Sequence, residues 1–178
     1  MPRLFVAIDP PERIRDEISA LYGAIAGARW MGDEQIHLTL RFIGEVDNTT
    51  ENQIIDVLQK VSIPPFTLAL KGIGVFPLRK EPRILWIGVQ ENQILMRMQA
   101  QIERALASIQ IEPDPRKFFP HITIARLSNA HQERIGQFIS ENNLFCTEPF
   151  EVSEFYLYRS YLGKTGAIYV KEATFRED

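Results

Sequence analysis

The sequence predicts an α+β fold of two pseudo-symmetric lobes, each an antiparallel-rich β-sheet backed by helices, with a cleft between them. Three observations carry this prediction. Each half of the chain reads in the order β-α-β-α-β-β, corresponding elements being offset by roughly 80 to 84 positions. A short phrase, His-x-Thr-x, stands in the matching strand of each half, at His37 and at His121. The 178 residues are 45% hydrophobic and 24% charged, the make-up of one ordinary domain or of two small lobes sharing a core, and no Ser/Gly-rich linker divides them.

The elements follow in order. Leu4 to Ile8 is a short apolar run that reads as a buried strand. Glu12 to Ile25 places Ile14, Ile18, Leu21 and Ile25 on one helical face, with Pro11 where helices begin. Gln35 to Phe42 alternates strictly, setting Ile36, Leu38, Leu40 and Phe42 on one side of a strand. A second helix runs from about Thr50 to Val61, opened by the capping-box spacing Thr50 to Gln53. Phe66–Leu70 and Ile73–Phe76 read as strands that close the first half. The second half repeats the order with strand Ile84–Val89, helix Gln93–Ile109, strand His121–Arg126, helix Glu133–Glu141, and strands Phe150–Tyr158 and Ala167–Phe175. The whole reads as a single bilobal domain, residues 1–178, with an internal duplication of about 1–80 and 81–178.

Composition removes several function classes. Twenty Lys plus Arg against 23 Asp plus Glu leave a net charge of −3, so any RNA or phosphate contact has to come from a local patch. The single Cys146 excludes a disulfide framework and a thiolate zinc site. Histidine occurs at 37, 121 and 131 only, and neither His-x-Thr strand contains Asp or Glu, so no metal is expected. The opening apolar run is too short for a signal peptide, and no window approaches about 18 apolar residues, which reads as a soluble cytoplasmic protein with no membrane contact. No heptad pattern points beyond a monomer.

His37-Leu38-Thr39-Leu40 and His121-Ile122-Thr123-Ile124 carry the chemistry. Thr occurs eight times, and two of three histidines with Thr two places on arise by chance in roughly 1% of such compositions. Residues i and i+2 of a strand share a face, so each His projects with its Thr while the intervening apolar residues enter the core. Two lobes then present two imidazoles and two hydroxyls across one cleft. That set suits in-line displacement at phosphorus: one imidazole removes a proton from the attacking oxygen, and the other protonates the departing one. The ordinary imidazole pKa of about 6.5 makes both forms accessible near neutrality, and the hydroxyls can donate to nonbridging phosphate oxygens.

The phrases His37-Leu-Thr-Leu-Arg-Phe-Ile-Gly44 and Pro120-His-Ile-Thr-Ile-Ala-Arg126 resemble the two signatures of the two-histidine (2H) phosphoesterase superfamily, and more narrowly its RNA 2′,3′-cyclic phosphodiesterase branch, also called 2′–5′ RNA ligase. The resemblance spans essentially the whole chain, taking in Arg3-Leu-Phe-Val-Ala-Ile8, Ala28-Arg-Trp30, Gly74-Val-Phe-Pro77 and Arg159-Ser-Tyr-Leu162. It implies hydrolysis of RNA 2′,3′-cyclic phosphate ends to 2′-phosphomonoesters with no metal or cofactor, and ATP-independent joining or splitting of 2′–5′ linkages. It implies His37 as the proton donor to the leaving 3′-oxygen and His121 as the proton acceptor that activates water. Thr39, Thr123 and Arg126 match the family's phosphate contacts. Another cyclic or 2′–5′-linked nucleotide, or a nucleotide-binding module without catalysis, are the readings the residues leave open.

Parity separates two arginines. Arg126 lies five residues after His121, on the opposite face of a regular strand, and reaches a phosphate only if the strand ends or bulges near Ala125. Arg41 shares the face of His37 and Thr39 and is a candidate substrate contact. Lys117 and Phe119 run straight into Pro120-His121 and are candidate RNA contacts through charge and base stacking. His131 reads as a solvated residue at a helix start, Cys146 as a small buried hydrophobe, and Trp30 and Trp86 as core or cleft-edge residues.

Overall fold

The structure, a computed structural model, describes residues 3–177. In chain order its elements are β1 (Arg3–Ile8), α1 (Glu12–Ser19), β2 (Ala28–Trp30), a 3-10 turn (Asp33–Gln35), β3 (Leu38–Glu45), α2 (Asn48–Leu58), β4 (Phe66–Leu68), β5 (Leu70–Phe76), β6 (Ile84–Val89), α3 (Gln93–Ala107), β7 (His121–Leu127), α4 (Gln132–Glu141), β8 (Phe150–Val152), β9 (Glu154–Leu162) and β10 (Ala167–Arg176). The main sheet follows the path β10-β9-β1-β3-β7-β6-β5, with β2 lying against β7, while β4 and β8 form a separate ribbon. These pairings are antiparallel, as expected. The path narrows where β3 and β7 meet through one residue pair, Leu38 with Ile122. That joint divides the sheet into two lobes, β10-β9-β1-β3 and β7-β6-β5 with β2. The lobes interleave along the chain: β5 pairs with β6 of the second lobe, and β9 and β10 complete the lobe begun by β1 and β3.

Alternation assigns the two faces of the sheet. In β1, Leu4, Val6 and Ile8 join the main core, while Phe5 and Ala7 turn the other way into a small cluster with Tyr156 and Tyr158. All four helices lie on the first face. Ile14 and Ile18 of α1, Ile54 and Leu58 of α2, Leu95 and Ile102 of α3, and Ile135 and Phe138 of α4 belong to that one core. Each fully buried Leu or Ile contributes about 1.5–3 kcal/mol relative to exposure. The opposite face is left open, and no described helix is long and apolar enough to cross a membrane.

Several boundaries differ from expectation: α2 closes at Leu58 rather than Val61, α3 at Ala107 rather than Ile109, β3 opens at Leu38 rather than Gln35, and the expected strand Phe150–Tyr158 is split into β8 and β9. Helix α1 stops at Ser19 rather than Ile25, because Leu21 and Tyr22 tighten into a turn and Tyr22 stacks on Trp30 at 4.5 Å. The Trp30 indole donates to the Gly23 carbonyl at 2.7 Å and pins that turn. Helix α2 begins at Asn48, capped by Asp47, whose carboxylate accepts from the Thr50 amide at 2.7 Å.

The larger departure concerns parity. Between the pairs Ala7–Thr39 and Val6–Arg41, β3 holds an extra residue, Leu40. Between Trp86–Thr123 and Leu85–Ala125, β7 holds an extra residue, Ile124. Each is a β-bulge, and the residues after it change face. Both bulges fall three places after a histidine. In β3 the bulge turns Phe42 out to the open face at 55% exposure, breaking the expected row of Ile36, Leu38, Leu40 and Phe42.

Candidate active site

Pairing of Leu38 with Ile122, carried one residue further each way, sets His37 beside Thr123 and Thr39 beside His121. Paired residues share a face, so all four side chains project from the open face at the joint between the lobes. Leu38 and Ile122 hold the joint from below, buried in the core.

Both imidazoles are oriented by the same device. Nδ1 of His37 lies 2.7 Å from the Gln35 carbonyl, and Nδ1 of His121 lies 2.7 Å from the Phe119 carbonyl, each two places upstream. A carbonyl only accepts, so Nδ1 carries the proton and donates, leaving Nε2 as the acceptor of the neutral ring. Aromatic rings collar each imidazole. Phe5 stands 4.9 Å and Tyr169 5.2 Å from His37, and Phe76 stands 5.1 Å and Trp86 6.3 Å from His121. Trp86 lies so flat over Gly74 that a Cβ there would come within 2.3 Å of the indole.

The collars set the electrostatics. Burial pushes His37 down to about 4, against the opposing pull of its Gln35 hydrogen bond and the Asp9 charge, with His121 and Arg126 adding to the lowering. Burial also lowers His121, opposed by its bond to Phe119. Asp9 is held on the His37 side by the Tyr158 hydroxyl, which donates to it at 2.6 Å, and by Lys171 at 2.9 Å. Among the described residues, no group of three or more His, Cys, Asp or Glu side chains is placed to hold a metal ion.

The family model described as LigT like Phosphoesterase matches the chain twice, over residues 8–86 and 87–169. The chain belongs to this family. It is 30% identical over 170 residues to the RNA 2′,3′-cyclic phosphodiesterase of Archaeoglobus fulgidus, covering 94% of this chain and 96% of that protein. It is 33% identical over 175 residues to the RNA 2′,3′-cyclic phosphodiesterase of Thermotoga maritima, covering 94% and 91%. The crystal structure of E. coli LigT complexed with 3′-AMP superposes with a TM-score of 0.79 at 28% identity, over 99% of this chain and 98% of that one.

In this LigT-like phosphoesterase the bulges decide which predicted residues reach the site. The bulge at Ile124 returns Arg126 to the face of His121 and Thr123, where its charge acts on His37. The matching bulge at Leu40 does the opposite to Arg41. That guanidinium leaves the face of His37, pairs with Glu103 of α3 at 3.0 Å and donates to the Glu112 carbonyl, so its expected part as a substrate contact is corrected to a structural one. Phe119 is half exposed and packs edge-on against Phe76 and Trp86 beside His121. Lys117 is exposed on the same approach to β7, while its neighbour Arg116 is paired with Asp114 at 2.9 Å. His131 is exposed at the start of α4. Cys146 is exposed rather than buried, because Thr147 is the residue that turns inward there, its hydroxyl accepting from the Leu70 amide at 3.0 Å. Sequence reasoning missed the collars of Phe5, Tyr158, Tyr169 and Phe76. The signal was there in Phe5 and in Tyr156-Leu-Tyr158, where aromatics alternate out of the core-facing register.

Proposed function

We propose that the protein hydrolyses the 2′,3′-cyclic phosphate at an RNA 3′ end to a 2′-phosphomonoester by acid–base catalysis between His37 and His121, with no metal ion. The observation that carries this reading is the pair of imidazoles fixed identically through Nδ1, with both Nε2 atoms left for chemistry on one face. Relatives named as RNA 2′,3′-cyclic phosphodiesterases and a neighbour that holds 3′-AMP support the substrate class. His121 Nε2 takes a proton from water as its oxygen attacks phosphorus. The P–O3′ bond breaks in line, and protonated His37 delivers its Nε2 proton to O3′. The P–O2′ bond survives, and solvent returns the protons. A ribose 5′-hydroxyl in place of water gives a 2′–5′ linkage by the same step.

Burial leaves both imidazoles mainly neutral in the free protein near neutrality, so the donor has to gain its proton as substrate binds. His37, the more acidic imidazole, is the stronger proton donor once protonated, and the bound phosphodiester anion favours its protonation. Thr39, Thr123 and Arg126 stand ready to bind nonbridging oxygens as charge accumulates. The twofold family match and the paired bulges support an internal duplication within one bilobal unit.

An oligoribonucleotide ending in a 2′,3′-cyclic phosphate, incubated in EDTA with wild type and with His121→Ala, tests the reading. A 2′-phosphate product from wild type alone is expected. A 3′-phosphate product, or loss of turnover in EDTA, would overturn it.

A further inference from the structure

Strand β2 brings a second guanidinium to the open face. It pairs with the end of β7, and Arg29 stands opposite Arg126. Opposed residues of an antiparallel pair project to the same side with Cβ atoms about 4.5–5.5 Å apart, and like charges there are destabilising. Neither charge is neutralised: among the described residues, no carboxylate forms an ion pair with Arg29 or Arg126, and both side chains are exposed. By contrast Arg15 and Arg41 each hold a carboxylate at 3.0 Å, Arg116 at 2.9 Å and Arg159 at 2.6 Å. Two opposed arginines kept without a counter-ion, next to a phosphate-binding face, form a receptor for an anion that arrives from outside.

Arg29 also has a neighbour from another hairpin. The β9–β10 loop lies against it, so that a Cβ on Gly166 would sit 3.8 Å from Arg29 Nη1. The same loop is tied down by Gln35, whose amide donates to the Ala167 carbonyl at 2.8 Å. Its residues 163–166 include Lys164 and no acid. Along the open face the order is His121 with Thr39, then His37 with Thr123, then Arg126 with Arg29.

We propose that Arg29, standing beside the Arg126 that serves the reacting phosphate, forms a second phosphate subsite that binds the internucleotide phosphodiester on the 5′ side of the terminal ribose. The inference rests on the reading above, in which His37 protonates the departing O3′. The ribose bearing O3′ then lies on the His37 side of phosphorus, and the RNA leading to it continues past His37 toward Arg29. A nucleoside 2′,3′-cyclic phosphate lacks that phosphodiester and a dinucleotide ending in the same group has it. Arg29 is therefore a binding residue that sets preference for RNA ends over mononucleotides, and gives a chain of net charge −3 a local grip on polyanion.

Steady-state kinetics of wild type, R29Q and R29K on those two substrates tests the subsite. R29Q is expected to lose about tenfold more kcat/KM on the dinucleotide than on the mononucleotide, mainly through KM, with partial recovery in R29K. Its log–log salt slope on the dinucleotide should flatten by about 0.7, the loss of one single-strand phosphate contact. Equal losses on both substrates, or none on the dinucleotide, overturn the proposal. Fluorescence anisotropy of a 5′-labelled trinucleotide ending in a 2′-phosphate separates binding from chemistry. If wild type turns over neither substrate the hydrolysis reading fails; weaker trinucleotide binding by R29Q than by wild type then still upholds the subsite, and equal binding overturns it.

Discussion

At each imidazole a backbone carbonyl accepts the hydrogen bond from Nδ1–H, so Nε2 is the nitrogen left free on both rings. Replacing His37 or His121 by Ala is expected to lower kcat by about 10²- to 10⁴-fold, measured by release of 2′-phosphate from a cyclic-phosphate oligonucleotide. Thr39→Ala and Thr123→Ala remove one donor each, and should cost about 1–3 kcal/mol in kcat/KM. Burial gives the pH dependence its sign. Both imidazoles are lowered in the free protein, so the alkaline limb of kcat/KM should fall with an apparent pKa below 6.5, while the kcat limb lies higher because the bound anion favours imidazolium. The stability consequence runs the same way. His37 is displaced from its ordinary value to about 4, so the unfolded chain binds a proton first. Its contribution is fully present above about pH 6.5 and is lost as pH falls toward 4. Melting curves between pH 7 and 4 should show a shallower acid loss for His37→Gln than for wild type.

At the scale of single strands, the bulges mark where the sequence was legible and where it was not. Ile124-Ala125 places two apolar residues side by side after Thr123, and that doublet betrays the bulge that returns Arg126 to the site. Leu40-Arg41-Phe42 keeps perfect alternation on paper, so nothing local warns that Arg41 turns inward. Only the tertiary partner shows it: Glu103, far along the chain on α3, supplies the carboxylate that makes a buried guanidinium tolerable. The strands, the helices and the His-x-Thr faces follow from periodicity. The register shifts depend on what each strand meets. Arg41→Ala leaves the Glu103 carboxylate without its partner, and denaturant unfolding should show a loss of about 1–3 kcal/mol, with kcat of the folded enzyme changed less than about threefold. Gly74→Ala drives a methyl into the Trp86 ring, and should cost about 1–3 kcal/mol while raising KM through displacement of the His121 collar.

Across the whole molecule, ties between distant segments hold the first lobe to its helices. Arg159 of β9 holds α2 through both oxygens of its buried Glu51, at 2.6 and 2.7 Å, and reaches Glu172 of β10 at 3.1 Å. Glu51→Gln weakens that clasp, and is expected to cost about 1–2 kcal/mol. At about 2–4 °C per kcal/mol for a chain of this size, a thermal melt would read the effect directly. The same interleaving has a consequence for how the protein is born. As the chain leaves the ribosome, β1 and β3 can zip together early, yet the far edge of β1 stays bare until Glu154–Leu162 emerges. A bare strand edge is a template for the wrong partner. The closing hairpin of β9 and β10 thus seals the nascent sheet as well as completing the lobe, and a chain cut short before Glu154 would be left with an open seam.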